Sequence, residues 1–281
     1  MIPPGVVDKL RAYLDEDLGL GDITSELLVP EGTRVRARIV AKEAGVLAGV
    51  EEVEALLRSL GIDVVEKMGD GAGVAPGDSI MVLEGDARTI LAAERVALNL
   101  LMHMSGIATA TRRLLEKARK ANPEIRIAAT RKTLPGLRYF EKKAVSIGGG
   151  DTHRLRLDDM VLIKDNHLKI VGSVRRAVEL ASARSFSKKV EVEVESVEEA
   201  LEAAEAGADA VMFDNMEPGE IRRAVEILEE RGLRERLLLE ASGGIREDDI
   251  EEYASTGVDV ISLGSLTLSP KALDMSLEIL D

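Results

Sequence analysis

Polar side chains that could bind or transform a ligand stand at the ends of successive apolar runs of this sequence. The run IRIAAT leads into Arg131 and Lys132, MVLI into Lys164, and VMF into Asp214, while VEVEV carries Glu193. Guanidinium and ammonium groups bind carboxylates and phosphates, and carboxylates bind hydroxyl groups or the water molecules of a magnesium ion. These residue types therefore favour chemistry on a small, highly charged ligand.

A basic segment lies between residues 126 and 156 of an otherwise acidic chain. It contains eight Lys and Arg residues against two acidic ones, whereas the whole chain has a net charge of −14. We expect Lys142 and Lys143 to lie on a solvated helix face. Other basic residues border a strand end or the glycines at 148–150, where the backbone can approach a ligand closely. The residues that suggest an anion pocket are Arg131, Lys132, His153, Arg154 and Lys164.

Two glycine-bearing segments, ASGGI and LGSLT, follow the last two apolar runs. Barrel enzymes commonly bind phosphate at this position through exposed main-chain N–H groups, and a tight turn is the equal alternative. Glu193 and Asp214 could accept hydrogen bonds from sugar hydroxyls or hold waters of a magnesium ion that is bound to substrate phosphates. No His and Glu residues have the spacing of a transition-metal site, so we expect no metal caged by the protein.

The three histidines have different expected roles. His103 lies on an apolar helical stretch, and we expect it in a core or an interface. His167 lies in a predicted loop and is expected to form a structural hydrogen bond. His153 stands next to Arg154 and is the histidine that we expect in the pocket, where it need not act as a general base.

The composition excludes several classes of function. The chain has 281 residues and no cysteine, which removes disulfides, thiolate zinc sites, iron–sulfur clusters and cysteine nucleophiles. Its 51 acidic residues against 37 basic ones would repel nucleic acid, and three Tyr and three Phe without tryptophan offer little stacking surface. We see no run of about 20 apolar residues and no signal-peptide pattern. The expected protein is therefore cytoplasmic, with no membrane and no nucleic acid among its partners.

The N-terminal region is expected to form a small α+β module. Residues 6–18 have helical periodicity, and residues 34–42 alternate between apolar and basic side chains, which predicts a half-buried strand. A turn-rich stretch that follows resembles the strands of biotinyl and lipoyl carrier domains. Such a carrier needs a lysine at a hairpin tip, but the expected tip reads Glu84-Gly85-Asp86. We therefore favour a β-rich packing module.

A long helical pattern over residues 89–119 leads into the second region, and its interruption at Ser105-Gly106 predicts a domain boundary near Gly106. Beyond it, six apolar β-type runs alternate with helical stretches, which implies βα units and a parallel sheet. Six units favour closure into a barrel, whose strand ends would converge on one mouth. A doubly wound sheet is the alternative, although no GxGxxG or GxxxxGK[ST] loop follows any of these runs.

The sequence also resembles the quinolinate phosphoribosyltransferases, which are decarboxylating nicotinate-nucleotide pyrophosphorylases. The most specific block comprises ATRKTLPGLRYFEKKAVSIGGGDTHRLRLDDMVLIKDNHL, and EDLGLGDIT, AERVALNLLMHMSGIAT, VEVEVES, VMFDN, LEASGGI and ISLGSLT match in order along essentially the whole chain. One departure is GGGDTHR, where many bacterial members have GGGHNHR, and LRLDD replaces the commoner GLYD. This difference leaves room for a related pyridine carboxylate as substrate.

The resemblance implies an α/β fold with two domains. Residues 1–106 would form an α/β sandwich that also dimerises. Residues 107–281 would form an incomplete αβ barrel of six or seven strands, of the type II phosphoribosyltransferase kind, with a C-terminal helix that returns to the N-terminal domain. The implied assembly is a homodimer in which each partner's N-terminal domain completes the other's barrel mouth, or a higher oligomer such as a hexamer.

The resemblance also assigns roles to residues by motif. Arg95 of the AER motif would reach the substrate across the dimer. The implied catalytic residues are Lys132, Lys164, Glu193 and Asp214, of which Glu193 and Asp214 would contact the ribose and magnesium, through water and substrate phosphates. The implied substrate-binding residues are Arg95, Thr130, Arg131, Lys132, His153, Arg154, Lys164, Glu193, Asp214, Ser242, Gly243, Gly244, Leu263, Gly264 and Ser265.

The implied reaction transfers phosphoribosyl from phosphoribosyl pyrophosphate to quinolinate with decarboxylation, in NAD biosynthesis. It would use substrate-bound Mg²⁺ and no organic cofactor. Two alternatives stay open. The first is a phosphoribosyltransferase on the same fold that acts on nicotinate or a related pyridine carboxylate. The second is a barrel lyase in which Lys132 or Lys164 forms a Schiff base. A non-catalytic binding module would not account for polar groups at successive strand ends.

Overall fold

A computed structural model describes residues 2–280, which form two compact units. The first unit comprises residues up to 110 together with the C-terminal segment from residue 270, and the second comprises residues 111–269. The chain therefore begins in the first unit, forms the second and then returns to the first.

The first unit is built on an antiparallel sheet of four strands in the order β12-β1-β5-β3. The predicted alternation of residues 34–42 is seen in β1, where Ala37 and Ile39 are fully buried and Arg36 and Arg38 pair with acidic residues. The elements of this unit are α1 (Pro4–Leu18), α2 (Ile23–Leu28), β1 (Arg34–Ala41), β2 (Gly45–Val46), α3 (Val50–Ser59), β3 (Asp63–Lys67), β4 (Gly73–Val74), β5 (Ser79–Asp86), most of α4 (Ala87–Ala118) and β12 (Met275–Leu280).

The predicted C-terminal helix is wrong, because residues 275–280 form the edge strand β12, which pairs with β1. In this sequence, MSLEIL, apolar and polar residues alternate with the period of a strand over most of the segment. Leu277 lies opposite Ile39, and Arg38 donates to the carboxylate of Glu278 at 2.9 Å. The segment therefore extends the sheet of the first unit.

The long helix α4 is continuous, so the predicted interruption at Ser105-Gly106 is wrong. The hydroxyl of Ser105 accepts a hydrogen bond from the main-chain N–H of Ala48 at 3.0 Å. A Cβ atom on Gly106 would lie 2.1 Å from the carbonyl oxygen of Lys271. These two small residues therefore let neighbouring main chain approach the helix closely instead of ending it.

Helix α4 is also long and apolar enough, by length and composition alone, to cross a membrane. Core helices of globular proteins meet the same criterion, and 56% of the apolar window of α4 is buried within the fold. Leu101, Met104 and Ile107 are fully buried. We therefore interpret α4 as a core helix.

The second unit is a parallel sheet of six strands in the order β6-β11-β10-β9-β8-β7. Each strand from β7 to β10 lies beside its successor, and β11 returns to β6, which is the cyclic order of a barrel with one open seam between β6 and β7. This arrangement confirms the predicted incomplete barrel. The strands are β6 (Arg126–Ala129), β7 (Val161–Ile163), β8 (Val190–Val194), β9 (Ala210–Asp214), β10 (Leu238–Ser242) and β11 (Val260–Leu263).

Helices alternate with these strands, and two of them begin at serine caps. Ser173 and Ser196 accept hydrogen bonds from the N–H groups of the third helical residue of α7 and α8. The helices of this unit are α5 (Arg138–Ile147), α6 (Asp165–Val171), α7 (Val174–Arg184), α8 (Val197–Ala206), α9 (Pro218–Glu230), α10 (Ile250–Ala254) and α11 (Ser265–Leu268).

The segment that follows α5 lies along the open seam of the barrel. Asp151 forms an isolated parallel bridge with Ala128 of β6. Its main-chain N–H donates to Ile127 at 2.8 Å, and its carbonyl oxygen accepts from Ala129 at 3.0 Å. These bonds fix the start of the segment 151–154, which carries His153 and Arg154.

Candidate active site

A cavity of about 450 Å³ lies at the carboxyl ends of the barrel strands. Eleven of the residues that the sequence singled out line it, contributed by five different strand ends and by the segment beside the seam. The lining residues are Thr130, Arg131, Lys132, His153, Arg154, Leu162, Lys164, Glu193, Met212, Asp214, Asn215, Glu240, Ser242, Gly243, Gly244 and Ser262. The fold therefore gathers basic, acidic and glycine residues around one opening, as the barrel geometry requires.

Two guanidinium groups lie close together in this cavity. Arg154 is 8% exposed, and burial together with the neighbouring charge of Arg131 lowers its pKa. The Nε atom of Arg131 is buried and has no hydrogen-bond partner among the described residues. Buried donors are normally satisfied, and two like charges at close range repel. An anion bound in the cavity would accept a hydrogen bond from Nε of Arg131 and would offset the repulsion between the two guanidinium groups.

Lys164 and Glu193 form an ion pair at the ends of the neighbouring strands β7 and β8. The main-chain N–H of Lys164 donates to Nδ1 of His167 at 2.9 Å, at the start of α6. The structural hydrogen bond expected of His167 is therefore confirmed. This bond holds the main chain from which the Lys164 side chain enters the cavity.

A hydrogen bond joins the ends of β9 and β10 next to Asp214. Asp214 accepts a hydrogen bond from the amide group of Asn215 at 2.8 Å, and the main-chain N–H of Asn215 donates to the carbonyl oxygen of Ser242 at 2.9 Å. Gly243 has a φ angle of 90°, and a Cβ atom there would lie 2.5 Å from Oδ1 of Asn215. Glycine is therefore required at 243 by both conformation and space.

The end of β11 and the segment that follows it lie next to the loop of Lys132. Leu263 is buried, and a Cβ atom on Gly264 would lie 2.9 Å from Cδ of Lys132. The hydroxyl of Thr267 donates to the carbonyl oxygen of Lys132 at 2.6 Å. Of the residues expected here, Leu263, Gly264 and Ser265 are not among the lining residues, whereas Ser262 is.

Arg95 lies in the first unit, on α4, and is not among the residues that line the barrel cavity. Its side chain is 60% exposed. It borders a separate depression of the first unit with Asp17, Asp22 and Ile23. Several large apolar side chains of the neighbouring segment are exposed, namely Leu20, Ile23, Leu27 and Leu28.

His153 connects the segment beside the seam to the barrel interior. Its Nε2 atom lies 3.4 Å from a carboxylate oxygen of Glu191 and 3.2 Å from one of Glu240. Both glutamates are 1% exposed. Burial alone would lower the pKa of His153, but the two facing carboxylates outweigh this effect and raise the pKa to about 10. The sequence spacing gave no sign of this group of one His and two Glu residues, because the three lie on segments far apart in sequence.

Sequence reasoning missed Glu191 and Glu240 and misplaced Lys142. The alternation of VEVEV puts Glu191 on the same strand face as Glu193, which was the available signal for Glu191. Lys142 was expected on a solvated face but is 1% exposed. Its ammonium group donates to the carbonyl oxygens of Ala129 and Thr152, and burial lowers its pKa to about 8. Other lining residues outside the expected set are Leu162, Met212, Asn215 and Ser262.

Comparison with known proteins identifies the family of this chain. Models of the N-terminal and C-terminal domains of quinolinate phosphoribosyl transferase match residues 22–105 and 107–278. A probable nicotinate-nucleotide pyrophosphorylase (carboxylating) of Methanothermobacter thermautotrophicus is 55% identical, over 98% of this chain and 99% of that protein. The nicotinate-nucleotide pyrophosphorylase (carboxylating) of Mycobacterium leprae is 41% identical, over 97% and 96%.

A solved structure gives the same result. The nicotinate-nucleotide pyrophosphorylase of Francisella tularensis superposes with a TM-score of 0.91 at 37% identity, over 100% of this chain and 98% of that one. Both domains of the family are thus matched in sequence, and the whole fold is matched in structure. The chain belongs to the quinolinate phosphoribosyl transferase family.

Proposed function

We propose that this protein transfers the phosphoribosyl group of phosphoribosyl pyrophosphate to quinolinate and releases carbon dioxide, which gives nicotinate mononucleotide and pyrophosphate for NAD synthesis. The observation that carries the proposal is the buried Nε donor of Arg131, which has no hydrogen-bond partner within residues 2–280, in a cavity that Arg154 and Lys164 share. Family membership supplies the substrate class, and the cavity supplies the charge that such substrates need.

Quinolinate is a dicarboxylate, and the guanidinium groups of Arg131 and Arg154 are suited to it. Arginine binds planar carboxylates through two parallel hydrogen bonds, whereas lysine supplies a more mobile point charge. Lys132 and Lys164 therefore complement the two arginines. In a partly dewatered cavity each of these charges interacts more strongly with the substrate than it would in bulk water.

Glu193 and Asp214 suit the ribose and its metal ion. Both carboxylates line the cavity, and their oxygens are the hard ligands that Mg²⁺ prefers, mostly through water and substrate phosphates. When bound, magnesium would neutralise charge on the pyrophosphate. Glu193 also pairs with Lys164, which holds a cation next to the acidic side of the cavity.

The glycine-bearing strand ends suit the 5-phosphate of the sugar. Gly243 and Gly244 have φ angles of 90° and 62°, and both line the cavity. Ser242 and Ser262 lie beside them, with their hydroxyl groups 3.0 Å apart. Main-chain N–H groups and hydroxyls are common phosphate ligands at this end of a barrel. We propose that Gly264 and Ser265 complete this part of the site.

The reaction needs positioning and charge, and it needs no covalent enzyme intermediate. The pyridine nitrogen bonds to the anomeric carbon of the ribose as the bond to pyrophosphate breaks and its electron pair leaves with pyrophosphate. The ring nitrogen is then cationic. The adjacent carboxylate can leave as carbon dioxide, because the electron pair that stays on the ring carbon is stabilised by that charge before it takes up a proton. The basic residues orient both anions and keep them together.

We also propose that Arg95 acts in the barrel cavity of a second copy of the chain. It lies in the first unit with an exposed side chain, next to exposed leucine and isoleucine side chains at 20–28. Contiguous exposed apolar residues mark interaction sites, and a two-fold dimer would give each cavity one such arginine.

The direct test is incubation of the purified protein with quinolinate, phosphoribosyl pyrophosphate and Mg²⁺, followed by mass spectrometry. We expect nicotinate mononucleotide, and parallel reactions with nicotinate in place of quinolinate should give none. Formation of the mononucleotide from nicotinate alone would favour the alternative substrate. Borohydride treatment in the presence of substrate should leave Lys132 and Lys164 unmodified, and an adduct at either would favour a Schiff-base lyase instead.

A further inference from the structure

Two buried glutamates, Glu191 and Glu240, are not explained by the reaction as described above. They belong to β8 and β10, which lie on either side of β9. Each is 1% exposed. Oε1 of Glu240 has no hydrogen-bond partner within residues 2–280, and Oε2 of Glu191 has none there apart from its contact with His153. Burying carboxylates in this way costs stability, so a barrel interior selected for packing alone would carry apolar residues here.

Both glutamates face the imidazole of His153. One ring nitrogen therefore contacts side chains from two strands that are not neighbours in the sheet. The Nε2 atom of His153 lies 3.4 Å from Oε2 of Glu191 and 3.2 Å from Oε2 of Glu240. His153 itself belongs to neither strand, because it lies on the segment beside the seam. The two glutamates therefore fix this segment to the barrel interior through one side chain.

The other side of the same ring fixes the main chain of Arg154. The Arg154 N–H donates to Nδ1 of His153 at 2.7 Å, and the N–H of His153 donates to the carboxylate of Asp151, also at 2.7 Å. The φ angle of His153 is 49°, a left-handed conformation that is unfavourable for a residue with a side chain. The interactions of the ring hold the chain in this conformation, and Arg154 enters the cavity from it.

The proton arrangement follows from these contacts. Because Nδ1 is turned towards the main-chain N–H of Arg154, the ring proton on Nε2 is the one that faces the two carboxylates. The pKa of Glu191 is raised by burial and, after the opposing effect of His153, by Glu240. The proton on Nε2 therefore lies between the ring and the two facing carboxylates. The cations that interact with them are Arg154 and Lys142.

We propose that Glu191 and Glu240 are positioning residues that anchor the His153 ring and thereby hold Arg154 in the orientation that binds a carboxylate of the pyridine substrate. This inference rests on the proposed function for the identity of the substrate. It gives His153 a role through Arg154, because both ring nitrogens are engaged by protein groups.

Glu191→Gln and Glu240→Gln test this inference, since glutamine keeps the size of the side chain and removes its charge. We expect each variant to weaken quinolinate binding about tenfold, with little change in the KM for phosphoribosyl pyrophosphate or in kcat at saturating quinolinate. Glu198→Gln, an exposed glutamate on α8, is the matched control and should bind quinolinate like the parent. Unchanged quinolinate binding in both single variants and in the double variant would overturn the proposal.

A second measurement uses the unmodified protein, so it stands even if a variant fails to fold. Nitrogen NMR of the three histidines should show one ring that keeps its proton on Nε2, with no titration between pH 6 and pH 9, and this signal should be absent from His153→Gln. An ordinary titration of His153 would overturn the proposal. So would one equivalent of metal bound to the purified protein and lost in the double variant, because the three ligand atoms lie within 4.8 Å of one another.

These outcomes are separate from those of the proposed function. If the protein makes no mononucleotide from quinolinate, the function fails while the NMR result still reports on the anchoring of His153. If turnover is normal and the double variant binds quinolinate normally, the anchoring fails while the function stands.

Discussion

Lys164 and Glu193 form an ion pair between the ends of β7 and β8, at the rim of the barrel cavity. The side chain of Glu193 is 12% exposed and that of Lys164 is 43% exposed. The cation is therefore held by an acid of its own chain and remains open to the cavity. The pair places the positive charge of Lys164, which would contact quinolinate, next to the carboxylate of Glu193, which would contact the ribose. Both substrates would therefore depend on this ion pair.

Removal of the Lys164 charge should strongly impair catalysis. We expect Lys164→Met to lower kcat/KM for quinolinate about a hundredfold, because it removes a substrate contact and leaves Glu193 without its partner. Steady-state kinetics measures this effect. Lys169→Met is the control, since Lys169 is an exposed lysine one turn further on that pairs with Asp165. A Lys164→Met enzyme within threefold of the parent would contradict the role given to Lys164.

The geometry of Gly243 predicts a defect in the phosphate part of the site. Gly243→Ala would place a Cβ atom 2.5 Å from Oδ1 and 2.7 Å from the main-chain nitrogen of Asn215, at a φ angle of 90°. We expect a loss of about 1–3 kcal/mol in the free energy of unfolding and a higher KM for phosphoribosyl pyrophosphate.

Thermal unfolding and kinetics together check this prediction. Gly219→Ala on α9 is the control, because a Cβ atom there meets nothing within 4 Å and its φ angle is not positive. That variant should be as stable as the parent or slightly more so. Equal behaviour of the two variants would show that the conformation of Gly243 is unimportant.

The cluster of His153, Glu191 and Glu240 makes stability depend on pH in a defined direction. The pKa of His153 is raised from 6.5 to about 10. A group whose pKa is higher in the folded state stabilises fully below its unfolded pKa and loses that contribution as the pH rises through the folded pKa. The free energy of unfolding should therefore fall between pH 6.5 and pH 10.

Denaturant unfolding across this range tests the pH dependence. The Glu191→Gln/Glu240→Gln double variant should show a smaller fall than the parent protein, since its histidine no longer faces two carboxylates. The exposed-site variant Glu198→Gln should follow the parent. Parallel curves for the parent and the double variant would mean that the two carboxylates do not raise the pKa of His153.

A mixture of two inactive variants should reveal whether Arg95 acts on a second chain. Arg95→Ala and Lys132→Ala would each be nearly inactive alone. If each cavity takes Arg95 from its partner, a mixed dimer contains one complete cavity, and random exchange should restore about a quarter of the parental activity. Activity assays after unfolding and refolding the mixture check this outcome. If Arg95 acts within its own chain, mixing restores no activity.

Much of the barrel could be predicted from sequence, because its features are local and repeated. Six apolar runs alternate with amphipathic helices, and each element has a period that the sequence displays. The strand order follows from the right-handed connection of consecutive βα units. Arg131, Lys164 and Asp214 were found because a barrel gathers its strand ends at one face.

The parts that could not be predicted depend on packing between distant segments. Gly106 interrupts the helical pattern in sequence, but it serves the close approach of Lys271. Lys142 looked like a surface lysine until the fold placed two carbonyl oxygens around its ammonium group. Glu240 stands alone in an apolar run, and its partner His153 is distant in sequence, so no local pattern joins them.

The most direct test of the central claim, that the barrel mouth binds quinolinate for phosphoribosyl transfer coupled to decarboxylation, is an isotope measurement. Quinolinate labelled with ¹³C in the carboxylate next to the ring nitrogen is incubated with the protein and Mg²⁺, with and without phosphoribosyl pyrophosphate. We predict labelled carbon dioxide in equal amount to nicotinate mononucleotide, and only when both substrates are present. A mononucleotide that retains the label, or no release of labelled carbon dioxide at all, would contradict the claim.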